Sequence, residues 1–381
     1  MNDRSRIIVN KVDHRFLGIE TILNHLRTTF RLSSSTEITF EMDPGTFDYD
    51  RILRLRTYGI NRLSIGVQSF REDMLKVCGR VHTVSDVSRA LDDLSRAQWD
   101  NFSIDLISSL PHHTMDSWRE TLQCAIQNNC PHISVYDLQV EDKTAFSKWY
   151  SPGVFPLPAE ELSADMFGLA ARLLTEAGYE HYEVSNYALP GKRSRHNQKY
   201  WRCAPMLAFG MSAVSYLSGD RFARPQTLVA YATYVDQLEH EQMMSKGGSA
   251  NKNVSATGSH VPDVLDVLML SLRTADGIDA RLFSQLFGDS AMSKLVVALL
   301  PYIQRGIVIA YDYDGNCLQH EQLQATFCDA GIIIAPHSHH GIAAAAADAC
   351  DASRLGSLRL SDPQGFLISN DIISTAFAAF S

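Results

Sequence analysis

Short apolar runs alternate with longer stretches of helical periodicity over the first half of the chain. Each run is rich in β-branched or aromatic residues and ends at Pro, Gly or a polar residue, which is typical of a buried strand. The runs are ITFEMDP (38–44), RLSIGVQSF (62–70), FSIDLISSLP (102–111) and HISVYDLQV (132–140). We therefore predict four strands in this half.

Apolar residues at helical spacing fill the intervals. One series, from Ile19 to Phe30, precedes the first predicted strand. Others run over 84–94 behind a capping pair, over 115–126, and over 162–173 ahead of a glycine. Repeated β–α units with apolar strands predict a parallel sheet covered by helices, either open or closed as a (β/α) barrel. In both forms ligands bind at the carboxyl ends of the strands.

The second half is less regular. A polar stretch at 243–260 predicts a linker, and helical periodicity resumes after it. Two runs, 307–313 and 357–362, predict strands of a small wing, and the residues between them (313–356) are interpreted as an insertion. Its HSHHG segment (337–341) lies beside an alanine tract and is interpreted as loop composition rather than a metal site. An amphipathic helix is expected to close the chain.

Composition limits the classes of function. The 381 residues include 34 basic and 43 acidic side chains, and this net charge of −9 argues against a nucleic-acid surface. No apolar run reaches the ~18 residues that a membrane span needs. The seven cysteines form no CxxC or CxxxCxxC motif, so the spacing predicts neither a disulfide framework nor a zinc or iron–sulfur site.

Polar residues interrupt or follow the predicted strands. They are Glu41, Gln68 and Asp105, with Arg80 in the loop after Gly79. A buried carboxylate is costly unless it is paired, so one shared polar pocket is expected at the sheet edge. An internal network, such as Glu41 with Arg80, is one interpretation. A ligand with a ribose and a free amino-acid end, such as S-adenosylmethionine, is another, and nucleotides or sugar acids also suit these groups.

Several motifs occur in a fixed order and resemble a known family. They are EMDPGTF, NRLSIGVQSF, CGRVHT, SIDLISSLPHHT, HISVYDLQVE, AGYEHYEVSNYA and RHNQKYW. Together they resemble radical-SAM proteins of the oxygen-independent coproporphyrinogen III oxidase superfamily, and HNxxYW resembles the heme-chaperone branch, HemW. The resemblance runs over about 18–235, 262–312 and 357–380.

The resemblance implies a fold and a set of site residues. The fold would be a partial (β/α)6 barrel of TIM type with strands three to six present, followed by a small helical, winged-helix-like domain. The expected boundaries are 1–190 for the barrel, 191–260 for the HNxxYW segment and linker, and 261–381 for the C-terminal domain.

By motif position, Glu41 and Gln68 would hold the ribose of S-adenosylmethionine, and Arg80 its methionine carboxylate. Asp105 would line the same site. His196 would be associated with heme, with Tyr200 and Trp201 beside a porphyrin face. The alternative role of the His196 segment is structural, as a packed turn that closes the barrel.

The family also has elements that this sequence lacks. Members begin with a strand, a CxxxCxxC motif whose thiolates bind a [4Fe–4S] cluster, a second strand and a glycine-rich GGGTP segment. Here the first matching element is GIETILNHLRTTF, the helix after that segment. The resemblance therefore implies an N-terminally truncated chain with half of the S-adenosylmethionine site, an unpaired edge at 38–44 and no radical chemistry. A natural cluster-free relative is the alternative.

Three functions follow from the resemblance. The first is a heme chaperone that binds heme and delivers it to an acceptor protein. The second is an enzyme resembling oxygen-independent coproporphyrinogen III oxidase, and the third is an inactive remnant, so enzyme status stays open. The cytoplasm is the default location, and a plastid or mitochondrial address would require an upstream segment.

Overall fold

The computed structural model describes residues 7–9, 16–151, 153–217, 219–245, 262–328 and 354–380. The chain divides into two compact units. One comprises Met1–His196 with Leu360–Ile368, and the other Asn197–Arg359 with Ser369–Ser381. Among the described residues, no helix combines the length and the apolar character that a membrane span requires.

The first unit is built on a seven-stranded mixed sheet in the order β1-β2-β3-β4-β5-β7-β6. Its strands are β1 (Ile7–Val9), β2 (Ile38–Met42), β3 (Arg62–Gln68), β4 (Phe102–Ser108), β5 (His132–Asp137), β6 (Glu180–Glu183) and β7 (Asn186–Ala188). Strands β1 to β5 are parallel, and the β6–β7 hairpin adds two antiparallel strands at the β5 edge.

Helices follow the parallel strands, as the periodicity predicts. They are α1 (Phe16–Phe30), α2 (Tyr49–Thr57), α3 (Glu72–Val77), α4 (Val84–Arg96), α5 (Met115–Gln127), α6 (Ala145–Trp149) and α7 (Glu160–Glu176). Thr83 and Asp86 form the predicted capping box of α4. Beyond α7, Gly178 has a φ of +88°, a conformation that glycine adopts without steric cost. The predicted α/β class with parallel strands is confirmed, whereas closure into a partial barrel stays a prediction.

The core of this unit lies between one face of the sheet and its helices. Alternate residues of each central strand point into it, for example Leu63, Ile65 and Val67 of β3, all fully buried. Trp118 of α5 is also fully buried, and its indole Nε1 donates to the Met166 carbonyl of α7 at 2.9 Å. The five longer helices α1, α2, α4, α5 and α7 supply most of the rest of this core.

One expectation from the sequence is wrong. The edge at 38–44 was expected to be unpaired, but Ile7–Val9 pairs with Ile38–Phe40 in parallel register. A run of three β-branched residues is too short to stand out as a strand from periodicity alone. It forms one because β2 offers it a row of unpaired backbone groups and α1 supplies the connection that parallel strands need.

The second unit contains helices and short strands, and a winged-helix arrangement stays a prediction. Its helices are α9 (Leu228–Ser245), α10 (Val264–Ser271), α11 (Ala280–Phe287), α12 (Asp289–Gln304), α13 (His320–Cys328) and α15 (Ser369–Ala378), with α8 (Arg195–Trp201) across the boundary between the units. Its strands are β8 (Val214–Leu217), β9 (Asp220–Ala223), β10 (Ile278–Asp279), β11 (Val308–Asp312), β12 (Cys317–Leu318) and β13 (Leu355–Leu360). Strands β8 and β9 form a hairpin, and the others form a four-stranded sheet in the order β10-β13-β11-β12.

Several details of the second half differ from the sequence expectations. The irregular stretch after 185 contains β7, α8, the β8–β9 hairpin and α9. The stretch interpreted as an insertion, 313–356, contains β12 and α13, and its HSHHG segment lies outside the described residues. The closing helix is divided into α14 (Gln364–Leu367) and α15. Of the predicted linker, only 243–245 is described, as the end of α9.

Candidate functional site

The second face of the parallel sheet is largely polar. Parallel sheets are normally apolar on both faces because helices cover them. Here most of the residues that alternate with the core positions are polar or lack a side chain, with Ile107 of β4 as an apolar exception: Thr39 and Glu41 of β2, Arg62, Ser64 and Gly66 of β3, Ser103 and Asp105 of β4, and His132, Ser134 and Tyr136 of β5. Burying this many polar groups beside an apolar core is costly. A polar face of this extent therefore indicates a binding surface.

The strand register brings these side chains together. Glu41 is the register partner of Ser64, whose hydroxyl accepts a hydrogen bond from Ser103 at 2.9 Å. Asp105 is the register partner of Ser134, and its carboxylate accepts a hydrogen bond from the Ser134 hydroxyl. A continuous polar band therefore runs from β2 across β3 and β4 to β5.

Gln68 borders this band and has a strained backbone conformation. Its φ is +66°, a left-handed value that is uncommon for a residue other than glycine, and the β3–β4 register shifts just before it. Its amide nitrogen would lie 2.8 Å from a Cβ atom placed on Gly66, so the side chain lies against the polar face of β3. Strain of this kind is often found at binding sites, where the fold holds a residue in an unfavourable conformation.

Arg80, in the loop after α3, also lies beside the polar band. Its Nη1 atom lies 3.3 Å from Asp43 Oδ1, two residues beyond Glu41. A Cβ atom on Gly66 would lie 2.7 Å from that Asp43 oxygen and 3.8 Å from Arg80 Nη1. The pair therefore stands beside Gly66, where the absence of a side chain makes room for it.

The Asp105 carboxyl interacts electrostatically with several charged groups of the band. The pKa of this carboxyl is raised to about 6, mainly by burial and further by the neighbouring Glu41 carboxylate. The hydrogen bond from Ser134 and the cations of Arg62 and Arg80 act in the opposite direction and lower this pKa. Burial is also the main reason that the pKa of the Tyr136 phenol is raised, with a smaller contribution from Asp105. Both groups are thus held closer to their neutral forms than in water.

This pKa gives a testable pH dependence. The folded pKa of Asp105, about 6, lies above its usual value of 3.8, so the folded state binds this proton more tightly than the unfolded state. The free energy of unfolding therefore falls as pH rises from about 4 to about 6. We expect the stabilisation by Asp105→Asn to be about 2 kcal/mol larger near pH 7.5 than near pH 4.5.

Urea unfolding followed by circular dichroism at both pH values measures the effect. An equal difference between the two proteins at both pH values would contradict the assignment of this titration to Asp105.

The structure brings four of the five predicted site residues to one surface. Glu41, Gln68, Arg80 and Asp105 all border the polar band. His196 lies elsewhere in the chain, on α8, as a half-buried residue.

Sequence interpretation missed several members of the band. They include Asp43, Arg62, Gly66, Ser134 and Tyr136. The available signal was a recurrence of polar residues at alternate positions within each of the four strands, rather than one polar residue in each strand. Asp43 was obscured because it lies in the Asp–Pro–Gly turn that ends β2.

The described residues do not fit an iron–sulfur cluster. Over the ranges with described side chains, no group of three or more His, Cys, Asp or Glu residues is arranged to hold a metal ion. The cysteines in those ranges are all free thiols: Cys78, Cys124, Cys130, Cys203 and Cys317. Together with the absence of a CxxxCxxC motif from the 381 residues, this gives no basis for deriving a step through a cluster.

Comparison with known proteins places this geometry in a family context. A sequence model of the Radical SAM superfamily matches residues 13–125. Over 367 residues the chain is 33% identical to "Heme chaperone HemW" of Synechocystis sp., which covers 95% of this chain and 79% of that protein. It is 38% identical over 196 residues to "Heme chaperone HemW" of Escherichia coli, which covers 51% of each.

A solved structure supports the fold. Coproporphyrinogen III oxidase (HemN) from Escherichia coli, a radical SAM enzyme, superposes with a TM-score of 0.65 at 19% identity, over 95% of this chain and 74% of that chain. At this level of identity the likeness concerns the fold alone. The sequence relatives carry the information on family.

Proposed function

Because this chain belongs to the HemW family of radical SAM proteins, we propose that it is a heme chaperone with two ligand sites. One site binds heme through His196 on α8. The other binds S-adenosylmethionine on the polar face of the sheet. The observation that carries the heme site is that α8, which contains RHNQKYW, has no buried residue.

The residues of α8 are half-buried or exposed, and none is fully buried. A helix that serves only to pack buries an apolar stripe against its neighbours. In α8 the Tyr200 side chain is 45% exposed, and Trp201 is half-buried. His196 and Tyr200 are four residues apart, so they share one face of the helix. A neutral imidazole is a competent axial ligand for heme iron, and an aromatic ring beside it offers contact to the porphyrin.

The polar band suits the two ends of S-adenosylmethionine. Carboxylates such as Glu41 accept hydrogen bonds from a ribose diol, and the Gln68 amide offers both a donor and an acceptor. Arg80 offers a planar guanidinium to the amino-acid carboxylate. The acidic groups Glu41 and Asp105 also complement the positive sulfonium. Asp105 borders the ligand, and its raised pKa allows it to donate a hydrogen bond below about pH 6.

The remaining parts of the proposal rest on family membership. The relatives are named heme chaperones, and we propose that this chain delivers bound heme to an acceptor protein. Membership of the Radical SAM superfamily implies a [4Fe–4S] cluster that activates S-adenosylmethionine. Since these residues do not fit a cluster, the roles that we assign to this chain are binding and orientation of its ligands.

Hemin titration tests the heme site. We expect hemin to produce a shifted Soret band with the unsubstituted protein, and His196→Ala to weaken that binding about tenfold, because the axial bond is lost while the porphyrin contacts remain. His25→Ala, which removes an exposed histidine of α1, is the control and should bind as the unsubstituted protein does.

The two variants also separate specific from adventitious coordination. An identical titration for the unsubstituted protein and His196→Ala would remove His196 as the ligand. An equal loss with His25→Ala would show that hemin binds to surface histidines in general.

A further inference from the structure

Asp43 and Arg80 form an ion pair at the carboxyl edge of the sheet. Their side chains are 20% and 30% exposed, and the Oδ1–Nη1 distance is 3.3 Å. We infer that Asp43 is a positioning residue, which holds the Arg80 guanidinium where it meets the carboxylate of the bound amino-acid end. The inference rests on the proposed binding of S-adenosylmethionine to the polar band.

Arg80 needs such a partner because its own segment does not fix it. It follows Gly79, whose φ of +66° marks a turn, and precedes Val81, which is 99% exposed. An arginine side chain on an exposed loop samples many rotamers, and a ligand that binds it must immobilise it. An ion pair with Asp43, which is held at the end of β2, restricts the Arg80 side chain before the ligand binds. The entropy cost of immobilising this side chain on binding is therefore lower.

The geometry leaves the guanidinium available for a second carboxylate. Asp43 approaches a single nitrogen, Nη1. Among the described residues, the structure gives Nε and Nη2 of Arg80 no hydrogen-bond partner. These two nitrogens form one edge of the planar guanidinium, and such an edge binds a carboxylate in bidentate fashion.

Asp43 is itself held in a defined place. It directly follows Met42, the last residue of β2, and its backbone carbonyl accepts hydrogen bonds from the backbone and side chain of Thr46. Its Oδ1 atom lies where a Cβ on Gly66 would crowd it, at 2.7 Å. The backbone of Asp43 is therefore fixed by the turn behind it, and the glycine opposite leaves room for its carboxylate.

A competing role predicts the opposite sign. If Asp43 merely occupied Arg80 in place of the ligand carboxylate, its removal would free the arginine and strengthen binding. If Asp43 positions Arg80, its removal weakens binding, and only for ligands that carry a carboxylate. The comparison of two ligands therefore distinguishes the roles.

The experiment is calorimetric titration of the 381-residue protein with S-adenosylmethionine and with 5′-methylthioadenosine, which keeps the nucleoside and the sulfur but lacks the amino-acid end and the sulfonium charge. We expect Asp43→Asn to raise the Kd for S-adenosylmethionine about tenfold and that for methylthioadenosine less than about twofold. In an Arg80→Met background, Asp43→Asn should have no further effect. Asp93→Asn is the matched control, because Asp93 is 18% exposed and pairs with Arg96 at 2.8 Å on α4, away from the polar band.

The outcomes separate the inference from the proposed function. Unchanged or tighter S-adenosylmethionine binding by Asp43→Asn overturns the positioning role, as does an equal loss for both ligands. If the unsubstituted protein binds neither ligand, the proposed second site and this inference both fail.

Discussion

Replacing Gly66 by alanine is expected to weaken binding of S-adenosylmethionine on the order of 100-fold while the protein stays folded. The added Cβ would lie 2.7 Å from Asp43 Oδ1 and 2.8 Å from Gln68 Nε2, both shorter than a Cβ atom tolerates. Both polar groups must then move away from the positions in which they border the ligand site. Two displaced charged or polar contacts at about 1.5 kcal/mol each correspond to about 100-fold in Kd.

The fold should accept this substitution at small cost. Gly66 lies inside β3 and does not have a positive φ, so alanine requires no unusual backbone conformation there. The atoms that it crowds belong to side chains rather than to the backbone. We expect the free energy of unfolding to fall by about 1–2 kcal/mol, the usual cost of mild overpacking.

Equilibrium dialysis with S-adenosylmethionine, alongside urea unfolding, measures both effects. Gly168→Ala is the matched control, because a Cβ on Gly168 in α7 meets nothing within 4 Å. Affinity unchanged in Gly66→Ala would show that Asp43 and Gln68 do not border the ligand. Loss of the cooperative unfolding transition would instead show that the glycine serves the fold.

Replacing Trp118 by alanine is expected to lower the free energy of unfolding by about 3–5 kcal/mol. The indole of Trp118, which lies on α5, is fully buried. Its Nε1 donates to the Met166 carbonyl of α7 at 2.9 Å. It also packs edge-on against His113, with 5.5 Å between ring centroids. Removing it leaves a cavity and a buried carbonyl that loses this hydrogen bond, two costs that add.

Trp149 provides the comparison. It lies on α6 and is 70% exposed, so Trp149→Ala should change the free energy of unfolding by less than about 0.5 kcal/mol. Far-UV circular dichroism in urea suits both variants, since neither measurement then depends on indole fluorescence. Equal stability of the two variants would contradict the packing assigned to Trp118.

Only some residues of the polar face could be predicted from the sequence as site residues. Glu41, Gln68 and Asp105 stood out because each interrupts or ends an apolar run. Ser134 and Tyr136 did not, because a serine or tyrosine in a strand is ordinary when only one strand is considered. Their significance lies in the register, which sets Asp105 opposite Ser134 across β4 and β5. Register joins residues about 30 positions apart, and no local pattern contains that information.

The sequence by itself determined the alternation of strands and helices in the first half of the chain. Strand propensity, helical periodicity and capping residues act over a few neighbouring positions, so β2 to β5 and α1, α4, α5 and α7 could be predicted. Order and spacing of motifs likewise indicated the family, which the relatives confirm.

Only the tertiary structure decided three things. It paired Ile7–Val9 with β2, because an edge strand with unpaired backbone groups makes a three-residue run sufficient. It set Asp43 beside Arg80 across Gly66, because the end of β2 and the loop after α3 meet at one edge of the sheet. It left α8 without a buried residue, because burial depends on which surfaces surround a helix, and a seven-residue sequence does not specify them.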